Sequence, residues 1–158
     1  RLGRPLPVTA ESALRLELGN GSRVVSLPGT EATVRGFGGV ALLVIDEAAR
    51  VPDPLYYAVR PMLAVSRGRL VALSTPFGKR GWFHDEWHSA GKWERVSVTA
   101  QQCPRIEPAF LGEERRAMGE RWYKQEYMNS WVDVADAVFA YEDIRAAFDA
   151  DVRPLFGG

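Results

Sequence analysis

The pattern of apolar and polar positions predicts alternating strands and helices along most of the chain. Five strands are predicted, at Leu14–Leu18, Ser22–Leu27, Ala41–Ile45, Arg69–Ser74 and Trp93–Val98. The first two alternate around a Gly-Asn-Gly turn and predict a β-hairpin. Ala41–Ile45 and Arg69–Ser74 are nearly continuous apolar runs, which are typical of parallel strands buried on both faces.

Helical spacing of apolar residues occupies the remaining long segments. Four helices are predicted, at Leu55–Val65, Trp82–Ser89, Pro108–Asn129 and Glu142–Phe148. Pro61 predicts a kink or an early end in the first, and Gly119 is expected to divide the third. Strand and helix alternate along the chain, so we expect an α/β fold with a mainly parallel sheet and flanking helices.

Two adjacent carboxylates, Asp46 and Glu47, follow the Ala41–Ile45 run directly. One interpretation is that they begin a helix, where acids interact favourably with the positive end of the helix dipole. The other is a Walker B arrangement, in which Asp46 holds the magnesium of MgATP and Glu47 polarises the attacking water as a general base. The acid pair alone does not decide between these.

A second polar cluster, Ser74-Thr75-Pro76, ends the next predicted strand of this type. Ligands of open parallel sheets bind at the carboxyl ends of the strands, so both clusters are expected at one edge. In helicase-like ATPases a small hydroxyl motif at this place senses the γ-phosphate. A helix cap or turn would also explain Ser74 and Thr75, but their combination with the acids favours the ATPase interpretation.

Several segments, in their order and spacing, resemble the large terminase subunit of tailed bacteriophages. They are NGSRVVSLPGTEATVRG (20–36), LLVIDEAA (42–49), ALSTPFGKRGWFHDEW (72–87), CPRIEPAFLGEER (103–115) and WYKQEYMNSWVDVADAVFAYEDI (122–144). The resemblance covers most of the chain, and STP-x-G and QEY after the acid pair are its most specific parts. It implies a helicase-type, P-loop NTPase-like fold.

The resemblance also implies a function for the intact protein. MgATP hydrolysis would drive double-stranded DNA into procapsids, and a separate nuclease domain would cut concatemeric DNA. Asp46 would associate with Mg²⁺, Glu47 would be the catalytic acid, and Ser74 and Thr75 would sense the γ-phosphate. Arg35 is a candidate finger acting on a neighbouring subunit's ATP, although an ordinary loop arginine is the alternative.

The partners that the resemblance implies are DNA, the portal protein, the small terminase subunit and further copies in a ring. The expected location is the cytoplasm of the bacterial host, with a transient stay at the procapsid portal. No apolar run approaches the ~20 residues of a membrane span, so no membrane partner is expected.

The sequence departs from this family in one important respect, because G-x-x-x-x-G-K-[ST] is absent. Gly78-Lys79 does not supply it, since Leu73 stands at the position of the first glycine and Arg80 at that of the Ser/Thr. We therefore expect an incomplete P-loop fold. Residues 1–134 are interpreted as part of the ATPase domain and 135–158 as a linker to a nuclease domain that the chain lacks.

Two consequences are expected from the missing motif. The chain alone should neither bind MgATP tightly, nor hydrolyse it, nor cut DNA. Two alternative functions stay open: a non-catalytic DNA-binding or assembly remnant that kept the fold, and a helicase-type ATPase of another family. Three features disfavour the helicase: the acid pair continues as DEAA rather than DEAD or DEAH, the hydroxyl motif is STP rather than SAT, and the chain contains QEY.

Composition adds little to this picture. The 158 residues carry 20 Lys and Arg against 20 Asp and Glu, so net charge argues neither for nor against nucleic-acid binding. The single cysteine, Cys103, cannot form an internal disulfide and is expected to be structural or incidental. A partly exposed structural role is also expected for His84 and His88, with zinc binding as the alternative. The five tryptophans are expected to pack the core. Lys79-Arg80 and Arg115-Arg116 are interpreted as solvated positions, with phosphate contact as the alternative.

Overall fold

A computed structural model of the protein describes residues 7–27, 29, 34, 36–133 and 147. Its first sheet is antiparallel, with strands in the order β1 (Val8–Ser12), β2 (Arg15–Leu18) and β3 (Arg23–Val25). The predicted hairpin is confirmed as β2 and β3. Strand β1 is absent from the prediction, and all five of its residues, VTAES, are exposed. Backbone pairing with β2 makes it a strand.

A second, two-stranded sheet contains β4 (Leu42–Ile45) and β5 (Arg69–Ala72). The Arg69 N–H donates to the Ala41 carbonyl, and the Leu73 N–H donates to the Ile45 carbonyl, both at 2.9 Å. Donor and acceptor are equally far apart along the chain in both bonds, which is the pattern of parallel strands. The predicted parallel pairing of these two segments is confirmed.

The expectation that these strands are buried on both faces is wrong. Every second residue of β4 and β5 is exposed, and Val44 retains 51% of its accessible surface. Within the described part of the chain the sheet has two strands, and the side chains of one face remain open to solvent. A continuous apolar run therefore indicates a strand here without indicating how many of its faces are covered.

The predicted strand Trp93–Val98 is also wrong, because residues 93–99 form no ladder. Hydrogen bonds between side chains and backbone carbonyls hold this segment in place instead. The Asn129 side-chain amide donates to the Val98 carbonyl at 2.7 Å, and Arg95 donates to the carbonyls of Glu86 and Ser89 at 2.8 and 2.9 Å. Alternation of apolar residues favours an extended backbone, but a strand also needs a neighbouring strand.

Three α-helices lie wholly within the described residues: α1 (Asp53–Val59), α2 (Gly81–His88) and α3 (Pro108–Glu126). The predicted early end of the first is confirmed, because Arg60–Leu63 is a 3-10 turn that contains Pro61. The predicted helix Glu142–Phe148 lies, apart from residue 147, outside the described residues. None of the helices described is both long enough and apolar enough to cross a membrane.

The chain divides into two compact units. Arg1–Leu43 and Asp53–Leu70 form one, and Val44–Pro52 and Val71–Gly158 form the other. The first unit buries Leu55, Tyr56, Val59 and Met62 along α1 and the following turn. In the second unit, Trp82 at the start of α2 is buried, and its indole N–H donates to the Val51 carbonyl at 3.0 Å.

Helix α3 is interrupted at Gly119, as predicted. Gly119 has φ 81° and ψ 164°, a conformation that essentially only glycine adopts. The two parts are joined across this break by Tyr127, whose hydroxyl donates to the Glu114 carboxylate at 2.9 Å. The Arg115 guanidinium, which donates to the Glu120 carboxylate, also spans the break.

Replacing Gly119 with alanine is predicted to destabilise the protein by about 1–3 kcal/mol, the usual cost of a side chain in this backbone region. The penalty is purely conformational, since an added Cβ would meet nothing within 4 Å. Gly112→Ala is the matched control. Gly112 lies in the same helix with equally open surroundings, so this change is predicted to stabilise by about 0.5–1 kcal/mol. Denaturant unfolding measures both, and equal effects would contradict the assigned break.

A second prediction concerns the pKa of Tyr127, which the hydrogen bond to Glu114 raises above its usual value, with burial and the Glu114 charge adding to the effect. The folded state therefore favours the protonated phenol. This stabilisation is complete below the unfolded pKa of about 10 and is lost as the pH rises through the folded value. An ultraviolet titration of tyrosinate formation should show one tyrosine that ionises at a higher pH than ordinary tyrosines. This high-pH component should be absent from the Tyr127→Phe variant.

Glu114→Ala is expected to move that component back towards the usual tyrosine pKa. The neighbouring Glu113→Ala serves as the control, because the phenol hydrogen bond goes to Glu114. A titration of Tyr127 that did not respond to Glu114→Ala would show that the bond is absent in solution.

Candidate functional site

The polar residues that follow β4 and β5 lie side by side in the second unit. The Ala48 N–H donates to the Leu73 carbonyl at 3.0 Å, and the Ala49 N–H donates to the Ser74 hydroxyl oxygen at 3.2 Å. Ser74 is thus bonded to the turn that comes directly after Asp46 and Glu47. The structure brings together the two clusters that the sequence analysis places at one sheet edge.

The two acids occupy an exposed turn between β4 and a 3-10 turn, Ala48–Arg50. The Glu47 N–H donates to the Asp46 carboxylate at 3.0 Å. Glu47 itself has φ 50° and ψ 39°, in the left-handed region, and its side chain is 68% exposed. This conformation costs a residue other than glycine of the order of 1–3 kcal/mol, and such costs concentrate at functional sites.

The ordinary interpretation of the acids as helix-starting residues has little support from this geometry. The element that follows is a 3-10 turn of three residues, and Glu47 makes no side-chain capping bond to it. So short a turn aligns few peptide dipoles for a carboxylate to interact with. The two exposed carboxylates are hard oxygen donors, the ligand type that Mg²⁺ prefers.

Two charged residues that the sequence analysis does not select complete the site. The Arg50 guanidinium lies 3.7 Å from the Glu47 carboxylate, 3.6 Å from the Glu126 carboxylate and 4.1 Å from the centre of the Phe77 ring. The Thr75 hydroxyl donates to the other oxygen of Glu126 at 3.1 Å. Glu126 is the acid of the QEY motif at the end of α3, which was the available sequence signal.

The segment STPFGKRG begins at Ser74, and the structure explains its Gly-Lys pair. Gly78 has φ 73°, a conformation that favours glycine. The Lys79 ammonium lies 3.5 Å from the Asp133 carboxylate, and its side chain is only 19% exposed. The interpretation of Lys79 as a solvated position is therefore wrong, because its side chain is largely covered and its charge is paired.

The two histidines pack against a tryptophan, and His84 is buried where the sequence analysis expects partial exposure. The His84 and His88 rings pack 4.4 Å apart and contact the Trp131 ring at 5.0 and 5.5 Å. Within residues 7–27, 29, 34, 36–133 and 147, no three His, Cys, Asp or Glu residues are grouped closely enough to hold a metal ion by themselves. Arg35 lies outside the described residues.

The expectation that all five tryptophans pack the core is confirmed for Trp82, which is buried, and is wrong for Trp122. Trp87, Trp93 and Trp131 are half-buried. Trp122 is 46% exposed on α3, and the Arg121 guanidinium lies 5.9 Å from the centre of its ring. Helical spacing alone does not distinguish the buried side of a helix from one that faces solvent beside a charged neighbour.

Comparisons with known proteins agree with these observations. Residues 7–146 match the family model described as the terminase large subunit, T4likevirus-type, N-terminal. No curated protein matches the chain at a significant level.

Solved structures of the large terminase ATPase domain of Thermus phage P74-26 have a similar fold. An arginine-to-alanine variant of that domain aligns with a TM-score of 0.55 and 18% identity, and another crystal structure of the domain with 0.54 and 21%. Each alignment covers 80% of this chain and 64% of the other, so the chain spans less than two thirds of those structures. The likeness shows that the chain shares the α/β fold of that domain. Since the family match extends over residues 7–146, the chain belongs to the T4-like virus type of the large terminase subunit family.

Proposed function

We propose that this chain is the C-terminal half of the ATPase domain of a phage DNA-packaging motor, followed by the linker 135–158. The observation that carries the proposal is the hydrogen bond from the Ala49 N–H to the Ser74 hydroxyl oxygen. This bond supports the proposal because it joins Ser74 to the turn that directly follows Asp46 and Glu47. An ATPase that must sense its γ-phosphate needs hydroxyl groups and a general base within one site.

Each site residue has a role in this proposal. Asp46 would hold Mg²⁺ through the bound nucleotide, and the ion would neutralise charge on the phosphates. Glu47 would orient the attacking water and accept its proton, which an exposed carboxylate is free to do. Ser74 and Thr75 would respond to the presence of the γ-phosphate, and Arg35 would reach the ATP of a neighbouring subunit.

The complete protein would use this site to move DNA. Its proposed partners are double-stranded DNA, the portal protein, the small terminase subunit and further copies in a ring. The proposed location is the host cytoplasm, with a transient stay at the procapsid portal. A nuclease domain beyond the linker would cut concatemeric DNA.

A second candidate function is a non-catalytic DNA-binding or assembly module that has kept the fold. It is favoured by one observation, the absence of G-x-x-x-x-G-K-[ST] from the 158 residues. The sequence of the encoding gene separates the two candidates. An upstream P-loop motif in the same reading frame supports the ATPase, and a natural start near Arg1 supports the module.

The chain of 158 residues alone is predicted to hydrolyse MgATP no faster than its Glu47→Gln variant, because it lacks the loop that binds the phosphates. A phosphate-release assay on both proteins measures this. Turnover in the unmodified chain that Glu47→Gln removes would show that the missing loop is not required.

In the full-length gene product, Glu47→Gln is predicted to lower kcat by about 10²–10⁴-fold, the usual contribution of a general base. KM for MgATP should change little, since the amide keeps the size of the carboxylate. Glu113→Gln is the control, because it removes one carboxylate from α3, away from the site. Unchanged turnover in Glu47→Gln would exclude the general-base role.

A further inference from the structure

A continuous set of contacts connects the Thr75 hydroxyl with the Glu47 carboxylate. Thr75 donates to one oxygen of Glu126 at 3.1 Å, and the other oxygen lies 3.6 Å from the Arg50 guanidinium. Arg50 reaches Glu47 with its Nε at 3.7 Å. A hydroxyl at the end of one strand is thus connected to an acid at the end of the other through one carboxylate and one guanidinium.

Phe77 limits the positions that Arg50 can take. Its ring centre lies 4.1 Å from the guanidinium carbon, a distance at which a cation is attracted to the ring face. A planar guanidinium held over a ring can present Nε to one carboxylate and Nη2 to another, which a lysine ammonium cannot do in the same way. Arg50 is therefore shared between Glu47 and Glu126.

The two carboxylates differ in how firmly they are held. Glu126 accepts hydrogen bonds from Thr75 and, at 2.9 Å, from the buried Gln125 side chain, and its own side chain is 31% exposed. Glu47 is 68% exposed. Exposed ion pairs of this length contribute at most ~1 kcal/mol to stability. The arrangement is thus better suited to orient a side chain than to hold the fold together.

We propose that Arg50 and Glu126 are positioning residues that couple Thr75 to Glu47, an inference that rests on the proposed ATPase function. When Thr75 donates to Glu126, part of the charge of that carboxylate is satisfied, and Arg50 is shared with Glu47. When the Thr75 hydroxyl turns to another acceptor, such as a phosphate oxygen, Glu126 attracts Arg50 more strongly. The Glu47 carboxylate is then released to act on water.

The test uses Glu126→Gln in the full-length gene product. The glutamine oxygen can still accept the Thr75 hydrogen bond, but the charge that draws Arg50 away from Glu47 is gone. The expected result is a kcat for MgATP hydrolysis lowered about tenfold, within the range of coupling between residues in contact. KM should be unchanged within about twofold, because no group that binds nucleotide is altered.

The decisive comparison repeats Glu126→Gln in the R50A background. If the carboxylate acts through Arg50, the tenfold effect falls to less than about twofold there, because no guanidinium remains to be redistributed. The same factor in both backgrounds would overturn the proposal. Loss of all turnover in a folded R50A protein would overturn it too, because a positioning residue leaves residual hydrolysis.

Matched controls separate this coupling from a general loss of charge or fold. Lys124→Ala removes a cation that pairs with Glu120 at 3.5 Å, and Glu113→Gln removes an acid of α3; both should leave kcat unchanged. Thermal melting identifies any variant that does not fold.

Phe77→Leu is the replacement test if Glu126→Gln unfolds. It removes the ring that holds Arg50 while leaving both acids, and it should lower kcat and leave KM unchanged; an unchanged kcat would overturn the proposal.

The result with Glu47→Gln distinguishes failure of this proposal from failure of the proposed function. If Glu47→Gln leaves turnover unchanged, the ATPase site itself is wrongly assigned. If Glu47→Gln lowers kcat as predicted but Glu126→Gln has the same effect with and without Arg50, the ATPase assignment stands and the coupling is wrong.

Discussion

The parallel pairing of β4 and β5 is the constraint on which the candidate site depends. Successive backbone bonds continue past the end of the ladder, from Ala48 to Leu73 and from Ala49 to the Ser74 side chain. Because parallel strands end at the same edge, the acids after one strand and the hydroxyls after the other become neighbours. An antiparallel arrangement of the same two segments would place these clusters at opposite ends.

The approach to β5 depends on one small residue. A Cβ at Gly68 would lie 2.0 Å from the Val40 carbonyl oxygen, a distance that real side chains do not reach. The Gly68 N–H donates to the Leu63 carbonyl at 3.2 Å, and the Ser66 hydroxyl donates to the Val40 carbonyl. These contacts set the chain entering β5 closely against the residue before β4, which fixes the register of the pair.

The site is held by few contacts and is open to solvent on the side of the acids. Glu47 combines an unfavourable backbone conformation with a largely exposed side chain, so its position is maintained by surrounding contacts rather than by its own preference. The bonds between the turn and the residues after β5 provide that support on one side, and Arg50 provides it on the other. Glu126 extends the site to the end of α3, which the sequence places 79 positions after Glu47.

The sequence by itself determined the hairpin, the two parallel strands, the interruption of α3 at Gly119 and the family of the protein. These follow from local patterns: alternation around a Gly-Asn-Gly turn, short apolar runs, the conformational freedom of glycine and the order of short motifs. The pairing partner of a strand and the covered face of an element are not local properties. For that reason Trp93–Val98 was wrongly predicted as a strand, and the faces of β4 as fully buried.

Only the tertiary structure decided which charged side chains complete the site. An arginine in an exposed turn and a glutamate at a helix end are common in proteins. Nothing in the spacing of Arg50 and Glu126 along the chain indicates that their side chains meet. Their contact results from the place where α3 ends relative to the residues after β5, a relation between segments far apart in the chain. The sequence motifs therefore identified the acids and the hydroxyls as candidates. The contacts that link them through Arg50 and Glu126 could be seen only in the folded chain.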